Sequence, residues 1–455
     1  MEMLQTIVVM ESIVLGFMLL AAAGYFYLQS HRITDTRVFG LLAILFTFCV
    51  PGMLGAVSPS LLRILIPMGQ TQTLIPLALS LPVMIFCTLI GVSIRFGRAR
   101  GIGPKKQRTI ARQVGLRYRP GRLFFLSFAF LLVGLVGEYK ELHAVGGWLG
   151  VIRGGGTAYI QARVTQTVGF WGVLITVIPI AAIGMMYSVS IARAIPRQLR
   201  WLLAFLILCG AVGAISLMTT RHQSVMLLLS LIALAETRSR RLFRAFAPIA
   251  LILIAIGAVA LASLRYSNKT ASIDQLAGNF EHIEISEQII STVHVNGYIW
   301  GGNIPEVFTM FVPRALWPHK PMGNPINQEV FWEFAKLGGV KTVGLLGEGY
   351  ASGGLPFVAL EGLIYGIMLR RMRGFWDRRQ ANAYQFMAYG SMILGYIYLA
   401  AQAGFITLSI MTFMVMLVQV RITMWVAGYL PGRVATRSSD PVSGEDWALA
   451  QPATR

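Results

Sequence analysis

Three short stretches of this 455-residue chain carry side chains that could bind or transform a charged substrate. The first is FVPRALWPHKP at 311–321, where three prolines restrict the backbone around Arg314 and Lys320. A guanidinium fork and an ammonium group held in this way suit phosphate oxygens, and Trp317 offers a flat face for a sugar. The plainer alternative is an interfacial turn held by proline and tryptophan.

The second stretch is SLMTTRHQSVMLLL, where Arg221 and His222 stand between two apolar runs. A helix that starts directly after this turn would point its free N–H groups and positive dipole end toward the same surface as Arg221. Such a corner favours an anion. In the alternative interpretation, Arg221 only extends to lipid phosphate groups.

The third stretch is GLLGEGYASGGLPF at 344–357, a glycine-rich approach to an apolar run. We expect Glu348 at the entrance of the following helix, with Tyr350 beside it. Glu348 could accept a proton from a hydroxyl group as a general base. It could instead cap the helix, because the dipole stabilises a carboxylate there and makes it a weaker base.

A further group of acids occurs at Glu281, Glu284 and Glu287, interleaved with isoleucines. This pattern predicts a short amphipathic helix whose carboxylates form a solvated face, and a metal site is the less favoured alternative. The chain has no HExxH, Walker A or GxSxG motif and no outward DxD pair. We therefore expect neither a metal nor a cofactor.

The elements that must position these residues are transmembrane helices. Hydrophobic residues make up 55% of the chain and charged residues 13%, a balance typical of an integral membrane protein. Apolar stretches near the length that crosses a bilayer predict an all-α, polytopic protein. We place eleven spans near 7–29, 38–58, 73–94, 123–137, 168–190, 201–219, 222–237, 246–264, 351–369, 383–402 and 405–428.

The net charge of +20 reports topology rather than nucleic-acid binding, because the cations lie mainly in alternate loops. Residues 95–122 alone contain ten Lys and Arg and no acid. This asymmetry predicts that the N-terminus is periplasmic and that the C-terminus is cytoplasmic.

The resulting organisation has four parts. Residues 1–264 form a bundle of eight spans, 265–350 a large outer loop region, 351–428 the last three spans, and 429–455 a disordered cytoplasmic tail. A second outer loop at 138–167 is rich in glycine and could act as a lid. The cysteines Cys49, Cys87 and Cys209 all fall in predicted spans, so we interpret them as packing residues.

In the order of these features, residues 201–370 resemble the bacterial O-antigen polymerases, the Wzy-type oligosaccharide repeat unit polymerases. The shared features are a span ending in an Arg-bearing turn, a large outer loop, the PRALWPHKP segment, and GEGYASGGLPF leading into a span. The resemblance implies a GT-C-like fold with a large helical periplasmic loop in the bacterial inner membrane. It also implies a glycosyltransferase that joins polyprenyl-diphosphate-linked oligosaccharides without a metal.

Applied to this chain, the resemblance assigns roles to individual residues. The diphosphate leaving group would be bound by Arg221, Arg265, Arg314 and Lys320. An acceptor hydroxyl would be activated by Glu348 or Glu284, and sugar or lipid would contact His222, Trp317, His319 and Tyr350. Expected partners are the lipid-linked donor and acceptor, membrane lipids, a chain-length regulator and a flippase, with no nucleic acid.

Three other functions remain open. A transporter or flippase of lipid-linked sugars or anions would place ionisable residues near mid-membrane and interrupt helices there, whereas most charges here lie at span ends. A ligase-like transferase would use the same donor with another acceptor. A non-catalytic scaffold would tolerate replacement of Arg221, Arg314 or Glu348.

Overall fold

The computed structural model describes residues 2–30, 35–57, 71–94, 120–143, 147, 174–192, 194–217, 226–227, 282–300, 302, 317, 343–378, 383–404 and 408–427. Every regular element in these ranges is helical, as the sequence predicts. We number the α-helices α1 (Glu2–Ser30), α2 (Thr36–Ile44), α3 (Val50–Val57), α4 (Thr71–Ser93), α5 (Pro120–His143), α6 (Val177–Ile191), α7 (Arg197–Leu217), α8 (His282–Asn296), α9 (Gly344–Gly353), α10 (Leu355–Arg378), α11 (Ala383–Ala403) and α12 (Leu408–Ala427).

Five helical segments of the described chain are long and apolar enough to cross a membrane. They are Met3–Ser30, Thr36–Ala56, Thr71–Ser93, Pro120–His143 and Gln198–Ile215. Their positions match predicted spans one to four and span six, and α5 is longer than the 123–137 expected for span four. The predicted span at 246–264, most of the span at 222–237, most of the basic loop at 95–122 and the tail at 429–455 lie outside the described residues.

The second span is continuous but irregular, because α2 and α3 are joined by a π-helical turn at Leu45–Cys49. The backbone N–H of Val50 donates to the carbonyl oxygen of Leu45, five residues earlier. Pro51 follows at once, and a proline ring collides with the carbonyl four residues before it in a regular α-helix. The wider turn makes room for that ring and turns Phe48 into the protein interior, where it is 1% exposed.

Helices α4 and α10 pack closely against each other, and glycine makes the close approach possible. Gly362 and Gly366 are four residues apart on α10, and a Cβ at either position would collide with the backbone of α4 at Met84 or Thr88. On the opposite helix, a Cβ at Gly91 would collide with the backbone of α10. Small residues at this spacing let membrane helices pack backbone to backbone, which favours dispersion contacts over side-chain interdigitation.

Polar contacts join the helix ends that the charge pattern predicts to be cytoplasmic. Asp35, between α1 and α2, accepts hydrogen bonds from Arg37 and forms an ion pair of 3.2 Å with Arg373 at the end of α10. Arg370 donates to the carbonyl oxygens of Val92 and Ser93, both at 3.0 Å, and so satisfies the C-terminal end of α4.

The opposite end of α4 contacts the predicted periplasmic region. The hydroxyl of Thr73 donates to Glu287 of α8 at 3.2 Å, and the rings of Phe48 and His282 lie 6.1 Å apart. A Cβ at Gly347 of α9 would meet the side chain of Ile289, so α8 and α9 also pack closely. Helices α8 and α9 therefore lie at the end of the bundle to which the predicted outer loop region attaches.

Candidate functional site

Four of the ten predicted site residues lie in the part of the chain that the structure describes. They are Glu284, Trp317, Glu348 and Tyr350. The predicted cationic and histidine positions lie outside the described residues: Arg221, His222, Arg265, Arg314, His319 and Lys320. The site is therefore built from its acidic and aromatic members.

Glu348 lies in α9 and is 0% exposed. The prediction that Glu348 lies at the entrance of the ninth span is wrong, because α9 is a separate helix whose first turn contains no acid. Helix α10, which covers most of the predicted ninth span, begins only after Gly354, whose φ of 71° ends α9. A left-handed backbone is inexpensive only for glycine, and this break turns a predicted glycine-rich approach into a short buried helix.

A second acid, Glu361 of α10, interacts electrostatically with Glu348 and is 6% exposed. Its Oε2 atom is buried and has no hydrogen-bond partner among the residues that the structure describes. Sequence reasoning did not include Glu361 among the site residues, although an acid inside the predicted span at 351–369 was a usable signal, since such residues are costly in lipid and mark functional sites.

Helix α11 and the residue that follows it form the other wall of this acid pair. Tyr396 lies near enough to Glu348 for an electrostatic interaction, and its ring packs against Phe413 with centroids 4.6 Å apart. The Tyr365 hydroxyl donates to the carbonyl oxygen of Ile397 at 3.0 Å, which ties α10 to α11. A Cβ at Gly404 would overlap Glu348 Oε2, so the carboxylate rests directly against the backbone there.

Two buried carboxylates beside phenol groups can hold a proton and pass it to a neighbouring group. In an enzyme such a pair provides a general acid and a general base. In a membrane transporter, buried carboxylates mark the path of a proton or cation. Both side chains are closed off from the surface, so a substrate hydroxyl would reach Glu348 only after the surrounding helices shift.

The acids of α8 do not form the solvated face that the sequence predicts. Glu287 is 0% exposed and accepts the hydrogen bond from Thr73, while Glu284 is half-buried and accepts one from Gln288 at 2.9 Å. The helix itself is confirmed, with Ile283, Ile289 and Ile290 buried. Among the described residues no group of three or more His, Cys, Asp or Glu side chains could hold a metal ion.

Tyr350 lies two positions after Glu348, so the two side chains project from different sides of α9. Tyr350 contacts Tyr298, with ring centroids 6.1 Å apart. Burial and the neighbouring Tyr298 raise the pKa of Tyr350 to about 12, which keeps its hydroxyl protonated and able to donate at neutral pH. Trp317 is 39% exposed.

Two further buried acids lie at the end of α5, where the sequence predicts the start of an outer loop. The helix continues to His143, and Glu138 and Glu141 are buried within it. Within the described part of the chain, neither carboxylate oxygen of Glu138 has a hydrogen-bond partner. The predicted lid at 138–167 therefore begins later than expected, since its first six residues are helical.

Comparison with protein-family models, with curated proteins and with solved structures gives no match to this chain.

Proposed function

We propose that this protein polymerises polyprenyl-diphosphate-linked oligosaccharide repeat units on the periplasmic face of the bacterial inner membrane. The proposal includes a GT-C-like bundle of about eleven transmembrane helices. It rests on the resemblance of residues 201–370 to the O-antigen polymerases and on the chemistry of the side chains at the predicted outer end.

The observation that carries the proposal is the buried pair of Glu348 and Glu361 beneath the attachment of the outer loop. Glu348 comes from the GEGYASGGLPF segment of the resemblance, and α8, α9 and Gly404 gather around the same end of the bundle. A carboxylate beside a second acid and a tyrosine has the chemistry of a general base.

In the proposed reaction an acceptor sugar hydroxyl attacks the anomeric carbon of the donor. The new glycosidic bond forms as the hydroxyl proton passes to Glu348, and the bond from the anomeric carbon to the diphosphate oxygen breaks. The leaving lipid diphosphate takes that electron pair. Arg221, Arg265, Arg314 and Lys320 would stabilise the developing negative charge, as fixed cations do in a site with little water.

A transporter of lipid-linked sugars or anions is the second candidate, and two structural observations favour it. The helix is interrupted at Gly354 between α9 and α10, and acids lie buried on both sides of the interruption. Broken helices that carry buried ionisable groups are the usual architecture of a transport site. A ligase-like transferase would share the donor chemistry of the polymerase.

A reconstitution experiment separates these functions. Purified protein in liposomes receives a polyprenyl-diphosphate oligosaccharide, and products are separated by size with and without a chelator. We expect a ladder of polymer that survives the chelator and disappears in Arg314→Ala and Glu348→Gln. Movement of intact substrate across the bilayer without new glycosidic bonds would instead establish the transporter, and a single transfer to a different acceptor would establish the ligase.

A scaffold function predicts another result. The variants Arg221→Ala, Arg314→Ala and Glu348→Gln would then leave polymer length and yield in cells unchanged. Exposed Val418 of α12 offers a matched surface control, because Val418→Ala should leave yield unchanged under every one of these functions.

A further inference from the structure

The residues that follow α8, 297–300, lie across the junction between α9 and α10 and contact it through a hydrogen bond and aromatic rings. The backbone N–H of Ile299 donates to the carbonyl oxygen of Ala351 at 2.9 Å. The Tyr298 ring lies against Gly354, where a Cβ would meet its hydroxyl. The N–H of Gly302 donates back to Ile299 at 2.9 Å and closes a turn.

Trp300 is the first central residue of that turn and has a φ of 48°. Among the described residues it is the one non-glycine position with positive φ. Turns of this kind normally place Gly, Asn or Asp there, because a bulky side chain is strained in the left-handed region. Strain of this kind concentrates at functional positions, so the choice of tryptophan calls for a reason.

The strained backbone presents an indole ring that contacts two neighbouring aromatic side chains and remains largely exposed. The Trp300 ring meets Tyr298 at 5.5 Å and 71°, and Phe357 at 6.4 Å and 81°, both in edge-to-face geometry. Despite these two contacts Trp300 is 71% exposed. A ring fixed in direction and left uncovered offers a flat, rigid binding face.

We propose that Trp300 is the stacking platform of a saccharide subsite that takes one hexopyranose ring of the oligosaccharide, an inference that rests on the proposed function. The apolar C–H face of a pyranose matches an indole face. Tyr298, which is 38% exposed, supplies a phenol at the rim for the sugar hydroxyls.

A membrane anchor is the competing use of an exposed tryptophan. Anchoring requires a ring at headgroup depth and tolerates any direction, so it needs no left-handed backbone. A positive φ, two near-perpendicular aromatic contacts, the Ile299–Ala351 hydrogen bond and the contact of Tyr298 with Gly354 together specify a direction for the indole. Direction is what stacking on a planar partner requires.

The test uses the full-length protein in nanodiscs and a panel of free tetrasaccharides of glucose, galactose, rhamnose and N-acetylglucosamine. Saturation-transfer NMR reports contact between protein and ring C–H protons. We expect transfer to at least one tetrasaccharide, loss of most of it in Trp300→Ala, and partial retention in Trp300→Phe, which keeps a flat ring. Trp425→Ala is the matched control, because Trp425 is a 70% exposed tryptophan on α12.

Other outcomes overturn the platform. Transfer to no member of the panel, or equal transfer in Trp300→Ala at an unchanged unfolding temperature, rejects it. Quenching of tryptophan fluorescence by brominated lipid also rejects the platform if it is present in the wild type and lost in Trp300→Phe. That result would place the indole among the lipid headgroups.

The same measurements keep the two proposals apart. If the protein forms polymer but its contact with sugar does not depend on Trp300, the polymerase proposal stands and the platform proposal is rejected. Contact that depends on Trp300 in a protein that makes no polymer retains the platform and rejects the polymerase.

Discussion

Glu348 and Glu361 place two carboxylates where even one charge is expensive to bury. Taking an ion out of water costs several kcal/mol after relaxation, and a like charge nearby adds to that cost. Proteins retain such an arrangement where the acids act on a substrate or an ion. The pair is therefore the part of the molecule where substitution should separate stability from function.

We predict that Glu361→Gln stabilises the protein while it impairs function. Removing one of two neighbouring buried carboxyl groups removes the cost of burying that acid, and any repulsion from the other, which together are worth on the order of 1 kcal/mol. Thermal unfolding in detergent should show the gain, and the polymer or transport assay should show the loss. A destabilised Glu361→Gln protein with full activity would mean that the acid is a structural residue.

Trp300 provides a second prediction at this scale, and it concerns the backbone. We expect Trp300→Gly to be more stable than Trp300→Ala by about 1 kcal/mol, because glycine adopts a positive φ without strain. The measurement is the difference in unfolding free energy between the two variants.

Val418 in the middle of α12 is the control for that comparison. There glycine should be less stable than alanine by about 1 kcal/mol, since the position is helical and exposed. If alanine were the more stable of the two variants at position 300 as well as at position 418, the backbone at Trp300 would not be strained.

Helix pairs, rather than single side chains, determine how the site is supported. The contact of α4 with α10 holds one side of the acid pair, and it depends on glycines at 91, 362 and 366 that leave no room for a Cβ. Arg370 then ties the end of α10 to the end of α4. This helix pair fixes the position of α10, the helix that carries Glu361.

We predict that Gly366→Ala destabilises the fold by about 2 kcal/mol, because the added methyl group meets the backbone of Thr88 and forces the helices apart. Unfolding by a denaturing detergent measures the loss. Gly213→Ala in α7 is the matched control, since no atom of the described residues lies within 4 Å of a Cβ there and alanine is the better helix former. The expectation fails if both alanine variants behave alike.

At the scale of the whole molecule, two groups of polar side chains lie at opposite ends of α4. One group contains Asp35, Arg370 and Arg373, and the other contains Thr73, Glu287 and the acid of α9. This division agrees with the alternation of charged loops along the sequence. The direction of the bundle in the membrane remains a prediction from the positive-inside rule.

Cysteine labelling tests that direction. In a variant that lacks the three native cysteines, Val295→Cys should react with a membrane-impermeant maleimide in intact spheroplasts, because Val295 is 80% exposed at the predicted periplasmic end. Arg371→Cys at the other end should react only after lysis. Reversed reactivity would invert the topology and remove the periplasmic polymerase from consideration.

Composition and periodicity alone established that the chain is helical and apolar enough for a membrane. They also gave the sequence positions of most of the described helices, α8 included. These properties are local: they depend on runs of apolar residues and on a 3.6-residue repeat, which neighbours in space do not alter. Sequence also singled out Glu348, through the glycine-rich segment that contains it.

Only the tertiary structure decided which groups share an environment. Glu348 and Glu361 are thirteen residues apart in the sequence, and their pairing depends on the break at Gly354 and on the approach of α11. Glu287 reads as a solvated acid in its own helix and is buried because α4 brings Thr73 to it. Burial and electrostatic partnership are properties of packing between distant segments, so no local pattern encodes them.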